Sequence, residues 1–328
     1  MMHNDRDDYY RVLNGEIPEY LPRTAWALVC PSVLRQNRQG MGAGFDCFGV
    51  EYVISESAMN GAIPKPGQFM IDDITKWRDI VKLPDLSGVD WEMMAKKDLE
   101  KVDRSQKVVM SDNITGFFQG LINFMGFTEG LCACYEEPEE VKAMMQWFLD
   151  FHMEVGKKYL KYYKPDAMWM PDDVCTERSP FVSPEMFREL FKPYWKQYVE
   201  LFRNAGLPAQ LHCCGQCMPI IDDFVDCGFT AWDPAQRMND LKAIKAKYGR
   251  KLAFVGGFET RGFISDQATT EEEVRAYTRE VIDELAPDGG FVFSAMVASS
   301  SAVPDAKERS RWISEEYESY GRNYYKTH

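Results

Sequence analysis

Short apolar runs rich in β-branched and aromatic residues alternate with longer amphipathic segments along this 328-residue chain. This alternation is typical of parallel strands that are joined by crossover helices. Seven runs are predicted as strands: residues 24–30, 107–112, 166–172, 209–214, 230–235, 251–257 and 290–296. An eighth run, residues 51–56, is either a further strand or part of a hairpin.

The number of runs and the chain length favour an α/β fold, a TIM-type (β/α)8 barrel that forms one domain over residues 1–328. Residues 1–20 are predicted to form a short helical N-terminal extension. A cap and a proline at Ser183-Pro184 predict a helix that runs to Asn204, and Thr270 begins another. No glycine-rich GxGxxG motif or P-loop follows a predicted strand, so the usual phosphate-binding motifs are absent.

Charge and composition narrow the class of protein. The net charge of −13 argues against nucleic acid as a partner, since phosphate backbones are bound by basic surfaces. The polar start MMHNDRDDYY is unlike a signal peptide, and no apolar run approaches 18 residues, so no membrane association is expected. Nine scattered cysteines are typical of reduced thiols, which predicts a cytoplasmic protein.

Polar side chains gather where the predicted strands end. In a barrel of this type the active site is built from the carboxyl ends of the strands. The polar residues at those ends are Asp112, Asn113, Asp172, Asp173, His212, Cys213, Cys214, Asp233, Glu259 and Ser294. Several of these side chains are metal ligands in other proteins, so the sequence predicts a site at this end of the barrel.

The stretch AQLHCCGQC (209–217) is the densest cluster of metal-binding chemistry in the chain. Because side chains alternate along a strand, His212 and Cys214 are expected to share one side, with Cys213 on the other. Zinc bound by His212 and Cys214 and a buried histidine among apolar cysteines both fit this pattern. A CxxC redox centre at Cys214 and Cys217 is disfavoured, because no thioredoxin-like βαβ context surrounds it.

Several segments resemble the uroporphyrinogen decarboxylase superfamily, especially its zinc- and cobamide-dependent methyltransferase branch. They are RVLNGEIPEYLPRT (11–24), FDCFGVEYV (45–53), MPDDVCTERSPFVSPEMFRELFKPYWKQYVELFRNAG (170–206), the region 212–260 with HCCG and GGFET, and LAPDGGFVFSAMV (285–297). The resemblance implies a (β/α)8 barrel with its site at the carboxyl ends of the strands. It covers nearly the whole chain.

The two chemistries of the superfamily need different residues. Decarboxylation implies N-terminal arginines that hold substrate carboxylates, but Arg35 and Arg38 in RQNRQG depart from the family pattern. The late histidine of the decarboxylases is missing from FSAMVASSSAVP (293–304), which disfavours that activity. The methyltransferase branch uses His-x-Cys, kept here as His212 and Cys214, but its late cysteine is replaced within Met296-Val297-Ala298-Ser299.

The sequence thus predicts a zinc-dependent methyltransferase. A methyl group would pass from a small donor, a methoxylated aromatic or another methyl ether or alcohol, to a corrinoid carried by a partner protein. Glu259 is predicted as the third metal ligand beside His212 and Cys214, with Asp173 and Glu177 as catalytic acids. The third ligand could also be one of the following: Asp172, Asp173, Glu177, Cys175 or Cys217.

Aromatic residues are the candidates for an aryl pocket: Phe117, Phe118 and Trp169. They could equally pack in the core, as His152 is expected to do on its helical stripe. Two alternatives stay open at this point. One is a uroporphyrinogen decarboxylase-like lyase, and the other is a barrel that binds a metabolite or corrinoid without metal catalysis.

Overall fold

A computed structural model describes residues 4–35, 42–58, 60–112, 115–259, 262–295, 297 and 305–328. The predicted strand-end residue Asn113, the arginine Arg38 and Met296, Ala298 and Ser299 of the late-cysteine region lie outside the described residues. Among the described residues, no helix is both long enough and apolar enough to span a membrane.

Ten strands are described. In chain order they are β1 (Trp26–Val29), β2 (Gly44–Phe45), β3 (Glu51–Ser55), β4 (Gly61–Pro64), β5 (Val108–Asp112), β6 (Ala167–Pro171), β7 (Ala209–His212), β8 (Ala231–Ala235), β9 (Ala253–Gly257) and β10 (Phe291–Ser294). Seven of them form one parallel sheet in the order β1-β5-β6-β7-β8-β9-β10. All seven runs predicted as strands are therefore confirmed.

The parallel sheet curls until its two ends meet. Just before β1, Arg23 forms a parallel bridge with Phe293 of β10, and the Phe293 N–H donates to the Pro22 carbonyl at 2.9 Å. An α/β fold with a curled parallel sheet is thus confirmed, but the sheet has seven strands in the described residues where eight were predicted.

The eighth apolar run, residues 51–56, belongs to a separate small sheet. Its residues form β3, which pairs antiparallel with β2 and β4, so the hairpin alternative was right. The side chain of Asp46 organises this sheet by accepting from the N–H groups of Phe48 (2.9 Å) and Val50 (3.0 Å) and from the Tyr52 hydroxyl (3.1 Å). The hairpin sheet supplies Tyr52 to the wall of a cavity that Asp173 and Cys214 also line.

Thirteen α-helices are described. They are α1 (Asp5–Leu13), α2 (Ser32–Arg35), α3 (Trp77–Ile80), α4 (Trp91–Asp98), α5 (Phe117–Glu136), α6 (Pro138–Lys158), α7 (Pro184–Leu190), α8 (Lys192–Asn204), α9 (Ile221–Cys227), α10 (Leu241–Tyr248), α11 (Glu271–Leu285), α12 (Ala306–Glu316) and α13 (Tyr324–Thr327). The predicted starts at Ser183 and Thr270 are confirmed, and Thr270 forms a capping box with Glu273.

One predicted helix is broken. A single helix was expected from Ser183 to Asn204, but the chain leaves helical geometry at Phe191, which ends α7 and precedes α8. The physical reason is Pro193, whose backbone lacks the N–H that a continuous helix would donate to the preceding turn. Proline is tolerated in the first turn of α8, where no such bond is required.

Buried apolar residues form an outer and an inner cluster. The outer cluster lies between the strands and the helices, while the inner one fills the curl of the sheet with residues such as Met110, Trp169 and Val255. Helix α1, in the predicted N-terminal extension, belongs to the inner cluster through Tyr9 and Val12. Its packing leaves the carboxyl ends of the strands for the candidate site.

Candidate functional site

Three of the predicted residues converge where β6 and β7 end. One ligand atom from each of Asp173, His212 and Cys214 lies within 4.8 Å of the other two. The Nε2 atom of His212 is 3.8 Å from the Sγ atom of Cys214. Two ligand atoms of a tetrahedral zinc ion, each about 2.0–2.3 Å from the metal, lie roughly 3.5 Å apart, so the spacing fits zinc. We call these three residues the mixed-ligand cluster.

The orientation of His212 is set by Asp233 on the neighbouring strand. The two residues are in register, and Nδ1 of His212 hydrogen-bonds the Asp233 carboxylate, which leaves Nε2 directed at the cluster. Burial alone would lower the pKa of His212, but the Asp233 carboxylate raises it well above its usual value. A carboxylate behind a histidine is the arrangement that fixes the ring of a metal ligand.

The Asp233 carboxylate is itself held by two hydrogen bonds from residues of β6 and β7. It accepts the indole N–H of Trp169 at 2.9 Å and the side-chain amide of Gln210. The Gln210 carbonyl in turn accepts the hydroxyl of Tyr9 on α1, at 2.6 Å. Trp169 therefore supports His212 from inside the sheet and is not part of the cavity wall.

The two adjacent acids, Asp172 and Asp173, have different surroundings. Asp173 lines the same cavity as Tyr52 and accepts the Cys214 backbone N–H at 2.6 Å. Asp172 is fully buried and accepts the N–H groups of Phe117 (2.9 Å), Phe118 (3.1 Å) and Gln119 (2.9 Å) at the start of α5. It also accepts the Trp195 indole N–H at 2.7 Å, so it anchors helices.

The other predicted acids stand apart. Glu177 is exposed in the loop after β6, and Glu259 follows β9 with its backbone N–H on the Tyr277 hydroxyl at 3.2 Å. Neither belongs to a three-ligand cluster in the described part of the chain. Asp112 forms an ion pair with Arg35 at 3.0 Å, and Ser294 ends β10 half-buried.

A second cluster consists of buried thiols. The sulfur atoms of Cys175, Cys213 and Cys217 lie within 4.8 Å of one another, with 3.8 Å between those of Cys213 and Cys217. Hydrogen bonds from the other two thiols lower the pKa of Cys175 to about 5, and burial raises the pKa of Cys213 well above its usual value. This thiol cluster could hold a metal ion such as zinc.

Sequence reasoning missed the thiol cluster as a unit. Strand alternation did place Cys213 away from His212 and Cys214, but it gave Cys213 the role of a small hydrophobic residue. The signal that could have found the cluster is the position of Cys175 after the strand that neighbours the one carrying Cys213. The role of Asp233 was missed in the same way, although it lies on the neighbouring strand β8, in register with His212.

A cavity of about 560 Å³ opens above the mixed-ligand cluster, with Asp173 and Cys214 in its lining. Five aromatic residues contribute to its wall: Tyr52, Phe69, Phe118, Phe127 and Phe181. The rings of Phe118 and Phe181 stack with 5.4 Å between centroids, and Phe127 lies 4.9 Å from Phe181. Of the candidates for an aryl pocket, Phe118 lies in the cavity lining, whereas Phe117 is buried against His152 and is not in the lining.

Comparisons with known proteins agree with this architecture. Residues 48–297 match the family model described as Uroporphyrinogen decarboxylase (URO-D), and the chain belongs to that family. A solved structure of a methyltransferase from Methanosarcina mazei has a similar fold, with a TM-score of 0.61 over 96% of this chain and 99% of that chain. The two sequences are 13% identical, a level at which the likeness concerns the fold alone. No curated protein matches the chain.

Proposed function

We propose that this protein is a zinc-dependent methyltransferase that passes a methyl group from a small oxygen-bound donor to a corrinoid protein. The observation that carries the proposal is the convergence of Asp173, His212 and Cys214 at the wall of an apolar cavity. In this proposal Asp173 replaces Glu259 as the third ligand, and the curled sheet is a variant of the (β/α)8 barrel.

Each residue of the site has a distinct task. Asp173, His212 and Cys214 would hold zinc, which as a Lewis acid would make the donor oxygen a better leaving group. Asp233 keeps the Nε2 lone pair of His212 available by accepting from Nδ1. Three protein ligands leave a position for the donor, as catalytic zinc sites require.

The cavity supports a donor larger than methanol. Its volume of about 560 Å³ and its phenylalanine walls suit the ring of a methoxylated aromatic compound. A decarboxylase of polycarboxylate substrates is less well supported. Arg35, the cavity arginine that could bind a carboxylate, is already paired with Asp112.

Zinc content distinguishes the two metal-competent clusters. We expect about one zinc per chain in protein purified without chelator, as for a single three-ligand site. Cys214→Ala should remove it, and the matched variant Cys213→Ala should retain it, because Cys213 belongs only to the thiol cluster. The reverse result would assign zinc to the thiols and overturn the proposed site.

Activity is tested with cob(I)alamin as the acceptor and 2-methoxyphenol as the donor. Methyl transfer is followed by the absorbance change that accompanies formation of methylcobalamin. The zinc-loaded protein should catalyse this change, while Asp173→Ala and Cys214→Ala should not. Exposed Glu177 provides a control, since Glu177→Gln should keep the activity. Zinc-loaded protein that is inactive with every oxygen-bound methyl donor would refute the proposal.

A further inference from the structure

A second cavity, of about 620 Å³, lies at the opposite end of the sheet from the mixed-ligand cluster. Its lining includes Thr230, which directly precedes β8, and Lys251, which lies just before β9. Because the strands are parallel, the amino ends of β8 and β9 lie at the end of the sheet opposite the carboxyl ends of β6 and β7. This second cavity is therefore separate from the proposed catalytic site.

The lining of the second cavity is positively charged. Arg203, Arg250 and Lys251 contribute to it, and its described lining contains no aspartate or glutamate. The chain as a whole carries 51 acidic and 38 basic residues, so composition alone would favour acids at such a place. Within the described residues none of these three cations forms an ion pair. By contrast, Arg275, elsewhere on the protein, forms ion pairs with three acidic residues. Three uncompensated positive charges are thus gathered in one concavity.

The backbone that carries Arg250 and Lys251 is closely packed. A Cβ atom at Gly15, just after α1, would lie 3.3 Å from the Arg250 carbonyl oxygen. A Cβ atom at Gly290, just before β10, would lie 3.3 Å from the Arg250 Cα. Chain segments on both sides therefore hold the backbone from which the Arg250 side chain extends into the second cavity.

We propose that the second cavity binds a small molecule that carries a phosphate or pyrophosphate group. Two arginines and a lysine suit phosphate oxygens, because guanidinium groups donate in a fork that matches them. An anion would also relieve the repulsion among the three cations. The hydroxyl of Thr230 and the amide of Asn14 add polar groups to the lining, and the volume exceeds that of free phosphate. The inference does not depend on the methyltransferase proposal.

The test is isothermal titration calorimetry with pyrophosphate at low ionic strength, where charge interactions are least screened. We expect saturable binding, weakened by at least about tenfold in Arg250→Gln and in Arg203→Gln, as for loss of one charge-assisted hydrogen bond. The control Lys96→Gln removes the same charge from an exposed position on α4 and should bind as the parent does.

Three results would overturn the inference. They are the absence of saturable binding, an equal loss of affinity in Lys96→Gln, and equal affinity for citrate, which would show a general anion effect without selectivity for phosphate. Because both arginines are exposed, their variants should fold normally, and an unchanged far-UV circular dichroism spectrum would show that they do.

Discussion

Replacing Asp172 should mainly lower the stability of the fold, whereas replacing its neighbour Asp173 should mainly abolish metal binding. Asp172→Ala leaves four N–H donors without their acceptor: three at the start of α5 and the indole of Trp195. A buried donor without a partner costs about 1–3 kcal/mol, so four donors at about 1.5–2 kcal/mol each cost roughly 6–8 kcal/mol. The loss is partly offset, because the substitution also removes a buried charge.

The offset follows from the pKa of Asp172. Burial outweighs the four hydrogen bonds and raises this pKa from 3.8 to about 6, so ionisation at pH 7 opposes folding. At about 1.4 kcal/mol per pKa unit, removing the carboxylate recovers roughly 3 kcal/mol. The net prediction is that Asp172→Ala lowers the free energy of unfolding by about 3–5 kcal/mol.

The assay is urea unfolding followed by tryptophan fluorescence, with chelator present so that zinc adds no stability. The matched variant Asp173→Ala loses one hydrogen bond, to the Cys214 N–H, and should cost only about 1 kcal/mol while abolishing zinc binding. Equal losses of stability in the two variants, or full stability in Asp172→Ala, would refute the assignment of Asp172 to the fold.

Three further outcomes are expected. Asp233→Asn should weaken zinc binding about 10–100-fold in a competition assay with a chromogenic chelator, since the histidine loses its orienting partner. Gly215→Ala should lower both zinc content and stability, because its Cβ would lie 2.5 Å from the Thr176 carbonyl oxygen at a φ of +101°. Burial lowers the pKa of His152 from 6.5 to about 3, so below pH 6.5 the unfolded state binds more protons than the folded state. Through this group, the free energy of unfolding decreases as the pH is lowered. His152 should contribute about 2 kcal/mol to the loss between pH 7 and pH 5, measured by urea unfolding as the difference in pH dependence between the parent protein and His152→Phe.

The strands could be predicted because each is a local apolar run, and the pairing of His212 with Cys214 follows from strand alternation. The sequence could not separate Asp172 from Asp173, since the direction of a strand's two faces is set by the sheet. In β6, Ala167 and Trp169 face the inner cluster while Met168 and Met170 face the outer one. By the same alternation, Asp173 lies on the inner side, where it contacts Cys214, and Asp172 lies on the outer side, where it anchors α5.

Contacts between segments that are distant in sequence account for the remaining differences between the predicted and the observed site. Glu259 was predicted as the third ligand, with Asp173 among the alternatives, because both follow strands. Their strands differ in place, however: β6 is the direct neighbour of β7, whereas β9 is separated from β7 by β8. Neighbouring parallel strands are about 4.8 Å apart, so a ligand from two strands away must span roughly twice that distance. Strand order thus favours Asp173, and order cannot be read from a single run of residues.

The polar residues inside the sheet connect the predicted N-terminal extension to the site. Gln210 is fully buried and Asp233 nearly so, positions at which an unpaired polar group would be costly. Each is satisfied by the next, from Tyr9 through Gln210 and Asp233 to His212. Helix α1 therefore does more than cover the inner cluster. It supplies the hydroxyl that completes the hydrogen bonds behind His212, and so the geometry of the candidate site depends on how α1 packs.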